Sequence, residues 1–171
     1  CFQIQYKGLL FESIPNPNLE LVDIPKVVEI AHSHSALVIV DNVFTTPVFS
    51  KAFEFGVDVV VYSATKHIDG QGRALGGVIL GKKEFIRKKV EPYMKHTGGA
   101  MSPFNAWVML KGLETIELRV KAQAKSALKI SQVLEQSSNI RKVIYPGLPS
   151  SKQHNLANEI ISGYGTVITF E

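Results

Sequence analysis

The chain has 171 residues, 45% apolar, 20% charged and 9% aromatic, proportions that exclude a disordered or fibrous protein and bound it to one or two globular domains. Its apolar runs, such as Ala36 to Val40, fall far short of the roughly 18 residues needed to cross a bilayer, and no signal-peptide pattern opens the chain, so membrane insertion and secretion are not expected. Nineteen Lys and Arg against fifteen Asp and Glu leave +4, concentrated between Gly81 and Glu91; this reads as a solvated helix face, and without a groove-reading motif beside it nucleic acid is not an expected partner.

In chain order, β-rich runs at Leu9 to Ser13, Ala36 to Asn42, Val57 to Ala64 and Leu75 to Gly81 alternate with helical patterns. The first predicted helix runs from Asp23 to about Ser35, with Asp23 as N-cap, Pro25 in the first turn and Val27, Val28, Ile30 and Ala31 as its apolar face. A shorter one is predicted from Pro47 to Phe55, ending at Gly56. Strand, helix, strand, helix, strand implies parallel strands covered on both faces. The Ser63 to Gly76 connection lacks helical periodicity, so Leu75 to Gly81 is predicted to return antiparallel. Ser102 and Pro103 open a long apolar pattern towards Leu134, with Gly112 as an interruption or a close packing contact. After the turn residues Pro146 to Ser151, a new strand-containing unit begins, and Gly163 to Glu171 ends in a strand.

Two positions carry chemistry by their placement. Asp41 follows the run Ala36 to Val40, and Lys66 lies just beyond Val57 to Ala64, so both fall at the carboxyl ends of neighbouring parallel strands, where open α/β sheets bind ligands. Taken singly, Asp41 reads as a turn cap and Lys66 as a solvated loop lysine. As a pair they match the two poles of a cofactor heterocycle: an amine able to bond its carbonyl, and a carboxylate to keep its ring nitrogen protonated. Ser63 and Thr65 beside the lysine offer hydroxyl donors to a phosphate, although such hydroxyls also bond local backbone. Gly70 to Gly77 is glycine-rich but follows no strand-to-helix turn, so neither a dinucleotide nor a Walker site is expected. The five histidines are scattered, and no metal site is expected. Cys1, the single cysteine, cannot close an internal disulfide, which suits a reducing, cytoplasmic setting, and at a terminus it is a poor nucleophile. Phe104 and Trp107 read as core or domain-contact residues.

The segments FESIPNPNLELVDI, VDNVFTTPVF, YSATKHIDGQGRALGGVILG, HTGGAMSPFNAWVMLKGLETIELR and YPGLPSSKQHNLA with GYGTVITFE together resemble the trans-sulfuration family of pyridoxal-phosphate enzymes. SATKHIDGQGR is most similar to the O-succinylhomoserine sulfhydrylase branch. The resemblance implies a fold-type I large domain, α/β with a mostly parallel sheet and helices on both faces, over residues 1–117, and a linker helix with the start of a small α+β domain over 118–171. It implies pyridoxal 5′-phosphate as cofactor, Lys66 as the lysine that bonds it and shuttles protons, and Asp41 as the partner of the pyridine nitrogen. Ser63 and Thr65 are implied as phosphate ligands and Asn16 as the neighbour of the ring's phenolic oxygen. The implied reaction replaces the γ-acyloxy group of O-succinyl- or O-acetylhomoserine with sulfide, giving homocysteine for methionine biosynthesis. Cystathionine γ-synthase or γ-lyase chemistry is the alternative, and a non-catalytic remnant of such an enzyme is another.

The departures shape the expectation as well. Members of this family are more than twice as long, usually homotetramers, and carry further cofactor and substrate contacts outside the segments matched here. Cys1 to Lys7 does not resemble them, and Ile14 and Pro15 stand where a Pro and a small residue are usual. The chain is therefore expected to be a fragment, inactive alone, with its sheet edge and apolar residues such as Val38, Val40, Val59 and Val61 exposed.

Overall fold

In the computed structural model, residues 7–171 are described; Cys1 to Tyr6, and with them the readings made of the cysteine, lie outside the described residues. Three parallel strands, β1 (Gly8–Glu12), β2 (Leu37–Asp41) and β3 (Val59–Ser63), sit side by side, and β4 (Gly77–Gly81) pairs antiparallel with β3. The antiparallel return follows from chain length: the connection from β3 holds only a single helical turn, too short to carry the chain back along the sheet.

Helix α1 (Ile24–Ser33) makes the first crossover. Its start is set by the Asp23 carboxylate, which accepts the Lys26 N–H at 3.1 Å, and by Pro25 in the first turn. Ile24, Val28 and Ala31 face the sheet and join Val38, Val40, Val57 and Val60 in one core. Each such side chain, fully buried, contributes on the order of 1.5–3 kcal/mol.

The helix expected over Pro47 to Phe55 is instead two short pieces, α2 (Thr46–Phe49) and a 3-10 turn (Ala52–Phe55) capped by Gly56 at φ +88°. The break is at Ser50, whose backbone is extended. The buried Asn42 amide donates to the carbonyls of Thr46 at 3.4 Å and Ser50 at 3.1 Å, so the chain is knitted around a side chain and does not continue its own ladder.

Beyond β4, α3 (Lys83–Phe85), a π turn (Ile86–Val90) and α4 (Glu91–Thr97) carry the basic stretch on an exposed surface, with Lys88 paired to Glu84 and Arg87 to Glu91. The long apolar pattern divides into α5 (Pro103–Leu113) and α6 (Ile116–Glu135). Ser102 caps α5 by accepting from Asn105 N–H at 3.1 Å. Phe104 and Trp107 are 69% and 56% exposed, which corrects the core reading: α5 buries Val108, Met109 and Gly112, and the two aromatics lie outside that stripe, against each other at 6.3 Å.

The last part contains β5 (Val143–Ile144), α7 (His154–Ile160) and β6 (Thr169–Phe170), with β5 and β6 antiparallel. It shares a core with the loop after β1, where Ile14, Leu19 and Leu21 pack on Ala157, Ile160 and Ile161. Gln153 fastens this contact by donating to Leu21 O at 2.8 Å and accepting from Leu21 N–H at 2.7 Å.

The exposure expected of the central strands is not found. Val38 and Val40 are buried in the core that α1 and Ala52 close over one face of the sheet; Val59 is also buried and Val61 half-buried. Apolar exposure falls instead on β1, at Leu9 and Leu10, on β4, at Ile79 and Leu80, and on α5.

Candidate functional site

Because β1, β2 and β3 run the same way, their carboxyl ends form one rim. Asp41 ends β2, in register with Glu12 of β1 and Val61 of β3. Ser63 ends β3, and the chain turns at once into a one-turn π-helix, Ala64–Ile68, that holds Thr65 and Lys66. Adjacent strands lie about 4.8 Å apart, so Asp41, Ser63, Thr65 and Lys66 leave the sheet from neighbouring ends. Asn16 lies in the loop leaving the same end of β1, exposed.

Among the described residues, Asp41 and Thr65 keep bonding capacity in hand. The half-buried Asp41 accepts the Val43 N–H at 3.1 Å through one carboxylate oxygen, an Asx-type turn that fixes the side chain, and its second oxygen has no hydrogen-bond partner among the described residues. Thr65 Oγ1 accepts the Gly76 N–H at 3.3 Å, so its own hydrogen stays available to donate. Lys66 is exposed, and its backbone (φ −81°, ψ −112°) departs from the helical geometry around it. The turn is closed by Asp69 N–H to Ala64 O at 2.8 Å and Gly70 N–H to Lys66 O at 2.7 Å.

Beneath the rim is a buried polar layer that sequence reasoning did not identify. Ser13 and Thr45 hydroxyls meet at 2.8 Å, Thr45 also bonds the Asn42 side-chain oxygen, and the Asn42 amide donates to Tyr62 Oη at 3.0 Å. Burial raises Tyr62 above the usual phenol range, partly offset by the Asn42 bond. Thr46 adopts φ +59°, a conformation costly for a β-branched residue and found where surrounding structure imposes it. The available signal was composition: Asn42, Thr45 and Thr46 are polar residues set between apolar runs directly after a strand end.

His67 was also missed. It is half-buried, its Nε2 lies 2.7 Å from Thr166 Oγ1, and Phe44 meets its ring edge-on at 6.5 Å. Burial lowers its pKa below the usual 6.5, a backbone contact at Val43 opposes this, and the Arg119 charge adds to the lowering. Next in the turn, Asp69 is buried; burial raises its pKa, but the bonds from Arg73, its backbone N–H and its guanidinium outweigh this and hold the carboxyl below the usual range. A cavity of about 650 Å³ beside Lys66 is lined by Phe44, His67, Arg119, Gln123 and Thr166 among others.

The donor set fits the expected cofactor: a carboxylate with one oxygen unpartnered among the described residues suits a protonated ring nitrogen, an exposed primary amine suits a carbonyl carbon, and hydroxyls suit a phosphate. Among the described residues no helix is long and apolar enough to cross a membrane.

Residues 2–171 match the sequence profile described as Cys/Met metabolism PLP-dependent enzyme. The O-succinylhomoserine sulfhydrylase of Mycobacterium tuberculosis (strain CDC 1551 / Oshkosh) is 54% identical over 170 residues, 99% of this chain and 42% of the relative. Among solved structures, cystathionine γ-lyase from Lactobacillus plantarum complexed with L-serine superposes with TM-score 0.93 at 30% identity, over 96% of this chain and 43% of that one. Cystathionine γ-synthase from Xanthomonas oryzae pv. oryzae in complex with cystathionine gives TM-score 0.93 at 32% identity, over 96% and 43%. The chain thus spans less than half the length of these relatives.

Proposed function

The chain belongs to the Cys/Met metabolism PLP-dependent enzymes, whose cofactor is pyridoxal 5′-phosphate, and on that premise we propose that the protein carrying it catalyses γ-replacement on an O-acylhomoserine. In this reading sulfide displaces succinate or acetate from the γ-carbon and homocysteine is formed. The observation that carries it is the emergence of Asp41 and Lys66 from adjacent parallel strand ends, joined to the 54% identity with a sulfhydrylase. The bound cofactor supplies an electron sink for charge developing on the substrate carbon next to it.

The residues of this chain do the rest. Lys66 Nζ holds the cofactor and carries protons at the substrate's α and β carbons. Asp41, fixed by the Val43 N–H, keeps a proton on the ring nitrogen. Ser63 and Thr65 would hold the phosphate with hydroxyl donors, which add no competing negative charge, and Asn16, on the loop after β1, would serve the phenolic oxygen. The amino-acid substrate, the residue 1–117 and 118–171 division, a cytoplasmic setting and a homotetramer of the longer protein belong to the same proposal.

A band near the visible edge is expected when pyridoxal phosphate is added to the purified chain, and Lys66→Ala should lack it. In the complete protein the same change should lower homocysteine formation by about 10²–10⁴-fold. A band that persists in Lys66→Ala would overturn the assignment. The second reading, cystathionine chemistry, is favoured by the two solved relatives. Competition between sulfide and cysteine for the acylhomoserine separates it from the first.

A further inference from the structure

The turn that carries Lys66 is held from outside itself. Arg119, in the first turn of α6, sends Nη2 to the carbonyls of His67 at 3.0 Å, Ile68 at 3.3 Å and Gly112 at 2.8 Å, while Nε donates to Thr115 Oγ1 at 3.0 Å. The first two carbonyls belong to the end of the Ala64–Ile68 turn, where a short helix leaves its last acceptors without internal partners. A guanidinium is suited to this, because its charge strengthens each bond and its planar fork keeps the donors in fixed directions.

Two glycines make the room. Gly70 is left-handed at φ +79°, and a Cβ there would collide with the Arg119 guanidinium. A Cβ at Gly112 would collide with the Ile68 carbonyl, so α5 rests its bare backbone on the same turn. Arg119 Nη1 is buried with no partner among the described residues, which leaves Nη2 and Nε as the anchoring atoms. Arg119 and Lys66 line the same cavity.

We infer that Arg119 is a positioning residue for Lys66: it fastens the lysine turn to α5 and α6, so that the direction of the amine depends on how those helices dock. The inference rests on the proposed role of Lys66 as the cofactor-holding amine. A guanidinium that only pinned α6 would stabilise the whole chain evenly; one bonded to two carbonyls of the lysine turn should stabilise that turn first.

Amide hydrogen exchange and chemical trapping separate these. In Arg119→Met, exchange over residues 64–70 should quicken about tenfold relative to β2 and β3, with Arg119→Lys between the two. When pyridoxal phosphate is added and trapped with borohydride, peptide mass mapping should find the label concentrated on Lys66 in the wild type and spread to surface lysines in Arg119→Met. Equal quickening in turn and strands, or an unchanged share of label on Lys66, would overturn the inference. A wild type that is not preferentially labelled at Lys66 sinks the role of the lysine, while the exchange result still decides whether Arg119 clamps the turn. If Arg119→Met does not fold, Thr115→Val, which removes the Nε acceptor together with the hydroxyl's own bond to the Gly112 carbonyl and leaves the Nη2 bonds, should give a smaller change in the same segment; no change there also overturns it.

Discussion

At the scale of single residues, His67 shows what burial does to a group next to a reactive one. Its folded pKa lies below 6.5 mainly because burial disfavours the imidazolium. Between the lowered value and 6.5 the unfolded chain binds a proton that the folded chain does not, so stability rises with pH there and is lost as pH falls through 6.5. Asp69, Glu91 and Glu117 are also lowered, but from ordinary values of 3.8 and 4.5, and their contributions are lost only at more acid pH. Urea midpoints measured against pH should therefore fall in two windows, and His67→Gln should flatten the upper one while leaving the lower. An upper window unchanged in that variant would mean another group titrates there. Lys66 and Asp41 were legible in the sequence because an apolar run locates a strand end to within a residue or two. Arg119 was not, since an arginine in an amphipathic helix reads as solvated until the helix is docked.

At the scale of elements, the contact between α5 and the lysine turn is decided by the absence of one side chain. Gly112 is buried, and its Cα sits where any Cβ would strike Ile68 O and crowd Asp69. In an exposed helix Gly→Ala gains about 1 kcal/mol. Here the overlap is with backbone, which cannot step aside without moving the turn, and overpacking of this kind costs roughly 1–3 kcal/mol. Gly112→Ala is thus expected to lower the denaturation midpoint, where propensity alone predicts a rise. The Ala value falling above wild type would show that α5 can shift freely. The sequence marked Gly112 as an interruption or a close contact; the structure shows the contact, and the helix break comes later, at Glu114 and Thr115.

At the scale of the whole molecule, the described sheet ends at β1 on one side, with Leu9 and Leu10 at 45% and 65% exposure. An unpaired strand edge bearing exposed leucines invites pairing with another chain. Leu10→Lys should reduce concentration-dependent light scattering of the purified chain without changing its circular dichroism, because a charge on an edge strand opposes association while leaving the ladder to β2 intact. Scattering equal to wild type would place the sticky surface elsewhere, with the exposed face of α5 as the next candidate.

Local terms were legible along the chain: which runs become strands, where α1 starts, that β4 returns antiparallel, and that an acid and an amine leave adjacent strand ends. These depend on alternation, caps and connection length, all of which act over a few residues. Tertiary structure decided what depends on distant partners. It turned the expected helix over 47–55 into two pieces around Asn42, left Phe104 and Trp107 exposed, covered Val38 and Val40, and brought Arg119 to the carbonyls of a turn some fifty residues earlier in the chain. Burial and hydrogen bonding between segments far apart in sequence are properties of the packed chain, and no window along the sequence contains both halves of such a contact.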